Sequence, residues 1–374
     1  MFKPISEVIV RDVLSLRGMT HYSNPKMNDA YITKFSLRRS ELVSLRIDGR
    51  KVAVTGGGGF IGSHLVEELL GRGCFVTVLD SFERGSTSNL PVTHEKLTVK
   101  KVNLLESPNL ERDFNGIEVL FDLAAKVSGN RELYQSPADL LTTNIGITMN
   151  VARAAAKARI SRVVFSSSSC VYDSPAPRIP HAENDVALPL QSYYGWSKLI
   201  GETIYSAYLE QFGLKVGMAR IFNVYGPRES LQSPHVIPEF IQKAFELKTG
   251  KRAAFEMLGD GNQTRSFLYV RDAVLGLIKL AESDYCEVFN FGSEKEVKIM
   301  DLAESILRRV GLDPAQVRFV YEPINPIDIK RRSADASKAG TRLKWEPKVN
   351  LEEGIANTID WFTKATPHQS PENS

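Results

Sequence analysis

A chain of 374 residues, 43% hydrophobic and 24% charged, can bury a full core as one large domain or as a domain with an attached lobe. A formal net charge of +3 and the lack of any dense basic block with interleaved aromatics exclude nucleic acid as the expected partner, and an acidic small ligand fits better. Three widely spaced cysteines give neither a disulfide framework nor zinc-ligand spacing, no apolar run approaches the ~20 residues of a bilayer span, and Met1 to Arg11 lacks a secretory apolar stretch, so the expectation is a cytoplasmic protein with no metal and no membrane partner.

Residues 1–50 are mixed, mildly basic and weakly periodic, and read as an arm of unassigned role. At Lys51 the pattern changes to an apolar strand, a glycine run and an amphipathic helix. Residues 51–55, 75–79, 98–102, 119–123, 162–166 and 216–219 read as strands alternating with helical stretches, which predicts an α/β fold with a doubly wound parallel (Rossmann) sheet over residues 51–225. After Tyr225 the regularity loosens among scattered prolines. Residues 226–364 read as a smaller mixed α/β lobe for substrate, with some chain returning to the sheet, and residues 365–374 as a flexible tail.

Gly56, Gly59 and Gly62 recur at three-residue intervals between a strand and a helix beginning near Ser63. That spacing permits a sharp turn, close approach to a pyrophosphate and tight helix-on-strand packing, while the helix start offers free N–H groups to phosphates. The next strand ends at Asp80, where a carboxylate meets ribose hydroxyls and repels a 2′-phosphate. NAD is therefore expected over NADP, with Arg84 leaving a phosphate site open.

Tyr194 and Lys198 stand four residues apart, hence one turn apart on one helix face. An ammonium there can depress the tyrosine pKa and make the phenol an acid or base toward a sugar hydroxyl. Such a pair alone is ordinarily a surface pair; here it follows the glycine motif and the run Phe165-Ser-Ser-Ser-Ser-Cys-Val-Tyr172.

With these motifs, and with Phe121-Asp-Leu-Ala-Ala125, Phe222-Asn-Val-Tyr-Gly-Pro-Arg228, Asn290-Phe-Gly292 and Trp345-Glu-Pro347, the chain resembles the extended short-chain dehydrogenase/reductases, in particular the nucleotide-sugar epimerases, dehydratases and decarboxylases, from about Lys51 to Thr363. The resemblance implies catalytic roles for Ser168, Tyr194 and Lys198, and cofactor contacts from Phe60, Ile61, Asn103, Leu104 and Ala124 beside the glycines and Asp80. The residue before Val171, acidic in family dehydratases and decarboxylases, is Cys170 here, which looks like GDP-fucose synthase and GDP-mannose 3,5-epimerase. His235, in Ser233-Pro-His-Val-Ile-Pro238, is similar to the second acid/base of GDP-fucose synthase. A thiol tuned toward neutrality can shuttle a carbon-bound proton.

The resemblance also places Lys126, Ser128, Asn223, Lys243, Arg265 and Arg331 around a nucleotide-diphospho-sugar, the arginines for their planar forks, with Arg332 competing with Arg331. It implies a homodimer as well. The leading expectation is an NAD-dependent epimerase at C3, C5 or both through a 4-keto sugar, with Cys170 and His235 as the acid/base pair. The rivals are an epimerase-reductase consuming NAD(P)H, a 4-epimerase, and a non-catalytic dinucleotide-binding scaffold. The nucleotide and the sugar stay open.

Overall fold

The computed structural model describes residues 46–127, 136–174, 178–231, 233, 235–323 and 330–365. In chain order the first half runs β1 (Lys51–Thr55), α1 (Phe60–Gly71), β2 (Phe75–Asp80), β3 (Leu97–Lys101), β4 (Val119–Asp122), α2 (Pro137–Lys157), β5 (Arg162–Ser168), α3 (Tyr193–Phe212) and β6 (Val216–Ile221). The second half runs β7 (Val224–Tyr225), α4 (Val236–Lys248), β8 (Phe255–Leu258), β9 (Thr264–Ser266), β10 (Leu268–Tyr269), α5 (Val270–Ala281), β11 (Val288–Phe291), β12 (Glu296–Lys298), α6 (Ile299–Val310), β13 (Phe319–Glu322), β14 (Arg331–Arg332), α7 (Ser337–Leu343) and α8 (Leu351–Ala365).

Seven strands form one parallel sheet in the order β11-β6-β5-β4-β1-β2-β3. The order reverses at β1, so the carboxyl ends of β1 and β4 flank the crevice in which such sheets bind ligands. Both faces are covered, which is why the central strands β1 and β4 are buried along nearly their whole length rather than alternating, while the edge strand β3, Leu-Thr-Val-Lys-Lys, is not. Val52 and Val54 pack beneath α1 and α5 with Leu65, Leu69 and Leu277, while Ala53 faces the opposite layer of α2 and α3 with Val151, Phe165 and Tyr205.

Six of the strands lie where periodicity puts them, within two residues at each end. The seventh, β11, comes from beyond Tyr225 and pairs with β6 from Val288↔Met218 to Phe291↔Ile221. The folded unit also starts ahead of Lys51: Ile47 is fully buried, and Arg50 pairs with Glu118 at 2.5 Å. The lobe has its own core, in which Phe240, Phe255, Leu302, Ile306 and Ile355 join α4, α6 and α8, and three small sheets, β10-β7, β12-β9-β14 and β13-β8. Among the described residues no helix is long and apolar enough to cross a membrane.

Candidate active site

β1 delivers the chain to Gly56, which adopts φ +69° and donates its amide to the Leu79 carbonyl at 2.9 Å. A Cβ at Gly56 would stand 3.0 Å from the Ala124 backbone, and one at Gly62 would stand 2.2 Å from the Gly56 carbonyl oxygen. Only glycines close this turn. The amides of Phe60, Ile61 and Gly62 precede the first intrahelical bond, Ser63 N–H to the Gly59 carbonyl, and face outward at a helix start that has no side-chain cap.

Asp80, 8% exposed, accepts from Gly58 N at 2.9 Å and from Phe82 N at 2.8 Å, which fixes its carboxylate against the glycine turn. Ala124 N donates to Thr55 Oγ1 at 3.2 Å beneath the turn. Glycine surface, free helix amides and a fixed carboxylate together fit a dinucleotide with unphosphorylated ribose. The two other expected contacts are less direct: the Asn103 side chain accepts from Leu105 N at 3.0 Å within its own turn, and the Leu104 side chain is buried in the core beside α2.

Ser192 caps α3 by accepting from Gly195 N at 3.2 Å, which sets Tyr194 in the first turn and Lys198 one turn further on. Lys198 Nζ donates to the Ser166 carbonyl at 2.7 Å and lies 5.7 Å from the Tyr194 ring centroid. Burial pulls the Lys198 ammonium down to about 8, against the opposing pull of Asp122. The expected depression of the tyrosine by this lysine is not met. Burial raises the Tyr194 phenol, with Cys170 beside it adding to the rise, and the Lys198 ammonium donates to the Ser166 carbonyl.

Ser168 ends β5 and accepts from Cys170 N at 3.2 Å, opening a 3-10 turn over Ser169–Tyr172. Behind it runs a buried web absent from the sequence reading. Ser167 Oγ donates to Glu202 at 2.6 Å, Arg220 donates to Glu202 at 2.8 and 2.7 Å and to Tyr172 Oη at 2.8 Å, and Tyr172 Oη donates to Asn290 at 2.7 Å. Asp122, equally buried, accepts from Thr55 Oγ1 at 2.7 Å and Tyr205 Oη at 2.6 Å. The signal was an arginine inside the apolar strand Val-Gly-Met-Ala-Arg-Ile, since a buried charge demands a partner.

Cys170 does not carry the neutral-pH thiol expected of it. Burial, reinforced by Asp173, pushes it up to about 11. Asp173 forms an ion pair with Arg332 at 2.5 Å. The structure sets the two arginines apart: Arg331 is 58% exposed and paired with Glu296, whereas its neighbour Arg332 faces inward, as adjacent strand residues point to opposite faces. Arg332 sits opposite Arg265 in the β14–β9 register.

Lys243 is held inside the lobe by Glu239 at 2.6 Å and the Glu256 carbonyl at 2.7 Å, so its ammonium serves lobe packing. Asn223, at φ 35°, donates to the Ser266 carbonyl at 2.8 Å. Lys126 pairs with Asp139, and its backbone exchanges hydrogen bonds with Asn144, whose amide reaches Ser197 Oγ at 3.2 Å. Ser128 lies outside the described residues. His235 is 53% exposed at the start of α4, with Nδ1 2.5 Å from the buried Glu229 rather than bonded to Cys170. Among the described residues no group of three His, Cys, Asp or Glu is placed to hold a metal.

A doubly wound sheet with a dinucleotide cradle at its switch point and Ser168, Tyr194 and Lys198 gathered on β5 and α3 defines a nicotinamide-dependent enzyme of the short-chain dehydrogenase/reductase type. The chain belongs to the NAD dependent epimerase/dehydratase family, whose model matches residues 52–292. It is 34% identical over 323 residues to UDP-glucuronic acid decarboxylase 1 of Arabidopsis thaliana, covering 84% of this chain and 71% of that protein. The solved UDP-N-acetylglucosamine 4-epimerase from Methanobrevibacter ruminantium M1, in complex with UDP-N-acetylmuramic acid, is 33% identical with a TM-score of 0.78, covering 85% of this chain and 100% of that one. UDP-glucuronic acid 4-epimerase from Bacillus cereus, in complex with UDP-glucuronic acid and NAD, is 26% identical with a TM-score of 0.76, covering 84% and 100%. These relatives act on or bind UDP-sugars, and the likeness is to them rather than to GDP-sugar enzymes in particular.

Proposed function

We propose that the chain is a redox-neutral epimerase of a UDP-hexose, working through a C4 ketone, with C4 the carbon inverted. The observation that carries this reading is the Ser168, Tyr194 and Lys198 group on β5 and α3, with Lys198 buried and Ser168 and Tyr194 half-buried, and with a cysteine in place of the acid before Val171. Bound NAD supplies the acceptor and donor for the C4 hydrogen. Ser168 Oγ and Tyr194 Oη hold the C4 hydroxyl, Tyr194 takes its proton, and Lys198 stabilises the phenolate from the next turn. The intermediate ketone must turn over in the pocket so that the hydrogen returns to the opposite face. Arg265 and Arg332 are the diphosphate cations in this reading.

C4 inversion asks nothing of Cys170 as a base, which suits a thiol near 11 and a histidine committed to Glu229. Inversion at C3 or C5, the leading expectation from the sequence, keeps one supporting observation: the Asp173 carboxylate beside Cys170 offers an acceptor for the thiol proton. The two separate in D2O. Incubating the NAD-loaded enzyme with UDP-glucose and UDP-N-acetylglucosamine should give the C4 epimers with no deuterium gain and no net change at the NADH absorbance. Deuterium at C3 or C5 moves the reading to the Cys170/His235 chemistry, net loss of added NADH moves it to an epimerase-reductase, and no conversion of either sugar refutes the proposal. A homodimer belongs to the same proposal, supported by the exposed Tyr193 and Phe212 at the two ends of α3; sedimentation at 41.7 kDa instead of twice that mass would count against it.

A further inference from the structure

The C4 chemistry leaves one buried charge beside the catalytic segment without a task. Asp173 directly follows the 3-10 turn that opens at Ser168, its N–H donating to the Cys170 carbonyl at 3.2 Å. In 3-10 geometry residues three apart eclipse one another, so the Asp173 carboxylate lies alongside the Cys170 thiol. Its backbone is pinned, because its carbonyl accepts from Gln191 N at 2.7 Å. The side chain is 10% exposed and spans from the catalytic segment to Arg332 of the lobe, itself 14% exposed. Arg265 is close enough to act on the same carboxylate. Arg332 and Arg265, the diphosphate cations of the proposed function, are therefore already partly neutralised by a carboxylate belonging to the protein.

We infer that Asp173 is a specificity-determining residue that admits neutral nucleotide hexoses and rejects nucleotide uronic acids. Two consequences of its position lead there. The Arg332 guanidinium, the cation nearest to Asp173 that could otherwise balance an added carboxylate, is already paired with Asp173 at 2.5 Å. A second carboxylate brought next to Cys170 would also meet a like charge in a site too buried for solvent to screen it. A merely structural clasp between β5 and β14 would be indifferent to the charge of the sugar. The inference rests on the nucleotide-sugar reading above, and it separates this chain from the decarboxylases of uronic acids to which it is similar in sequence.

The test is calorimetric titration of the full-length, NAD-loaded protein with UDP, UDP-glucose and UDP-glucuronate. The wild type is expected to bind UDP-glucose at least tenfold more tightly than UDP-glucuronate, about 1.4 kcal/mol. In Asp173→Asn, which keeps the shape and removes the charge, that ratio is expected to fall at least fivefold, with Asp173→Ser as the second variant if the first does not fold. Equal binding of the two sugars by the wild type, or an unchanged ratio in a folded variant, overturns the charge filter and leaves the proposed function standing. Failure of the wild type to bind UDP or either sugar overturns both. Because the wild-type ratio alone can refute the inference, it does not depend on either variant being stable.

Discussion

Replacing Glu202 by Ala tests whether the buried web behind Ser168 holds the site together. The carboxylate is 7% exposed and accepts three hydrogen bonds, two from Arg220 and one from Ser167, so its removal strands a guanidinium that is itself 5% exposed. Breaking one partner out of a buried pair costs about 3–5 kcal/mol. For a folded unit of this size each kcal/mol corresponds to roughly 1.5 °C, which places the expected fall in Tm at about 5–8 °C. Urea unfolding of the dinucleotide-free protein, followed by tryptophan fluorescence, supplies the free energy. The double variant Glu202→Met, Arg220→Met removes both charges, and its stability should return to within about 1–2 kcal/mol of wild type, since apolar replacement of a buried pair is often neutral. A single-variant loss below about 1 kcal/mol, or a double variant no more stable than the single, would refute the claim that the pair is buried and mutually dependent. Because Ser167 adjoins Ser168, the single variant should also lose kcat more than it raises KM.

Tyr194→Phe should abolish C4 epimerisation, by at least about a thousandfold in kcat, while UDP-sugar binding by calorimetry persists; undiminished turnover would remove the phenol from the mechanism. Asp80→Asn should weaken NAD and relieve the repulsion of NADP, changing the ratio of their dissociation constants by about tenfold or more, and an unchanged ratio would show that the carboxylate does not read the ribose. Gly62→Ala should lose NAD binding or fold poorly, as its Cβ would lie 2.2 Å from the Gly56 carbonyl, and normal NAD affinity would disprove the tight turn. Lys198, ordinarily charged to 10.5 and pulled down to about 8, carries a proton in the unfolded chain that the native protein has given up between those values. Its contribution to the stability of the dinucleotide-free protein therefore rises with pH from about 8 to 10.5, while kcat/KM falls as the ammonium is lost through 8. A stability slope over that window equal to that of Lys198→Met would contradict the assignment.

Local order carried most of the fold into the sequence. The glycine interval, the Tyr194–Lys198 spacing and the apolar strands each depend on neighbours in the chain, and each lies within a few residues of its expected place. What stayed hidden was set by long-range partners. β11 is a four-residue strand that is legible only once β6 is there to pair with it. Arg332 could not be separated from Arg331 until the pleat of β14 fixed which of the two turns inward, toward Asp173 at a sequence distance of 159. The contact of His235 with the buried carboxylate of Glu229, six residues earlier, was likewise not legible from spacing.

The same reasoning explains why the spacing of Tyr194 and Lys198 predicted their proximity correctly and their ionisation wrongly. Spacing fixes distance along a helix, whereas ionisation depends on how much water the surrounding layers exclude. Here the layers exclude enough that burial is the largest cause of both shifts, raising the phenol and lowering the ammonium, and both groups are thereby driven toward their neutral forms. The Ser166 carbonyl holds Lys198 Nζ at 2.7 Å and keeps the lysine aligned, while burial leaves it only partly charged above pH 8. Asp122 is the counterweight: buried and bonded to Thr55 and Tyr205, it favours the lysine's proton. Lys198 is thus tuned by a carboxylate at the end of β4, the strand paired with the one that delivers the chain to the glycine turn, so the ionisation of a helix residue is set by a strand residue 76 positions earlier in the chain.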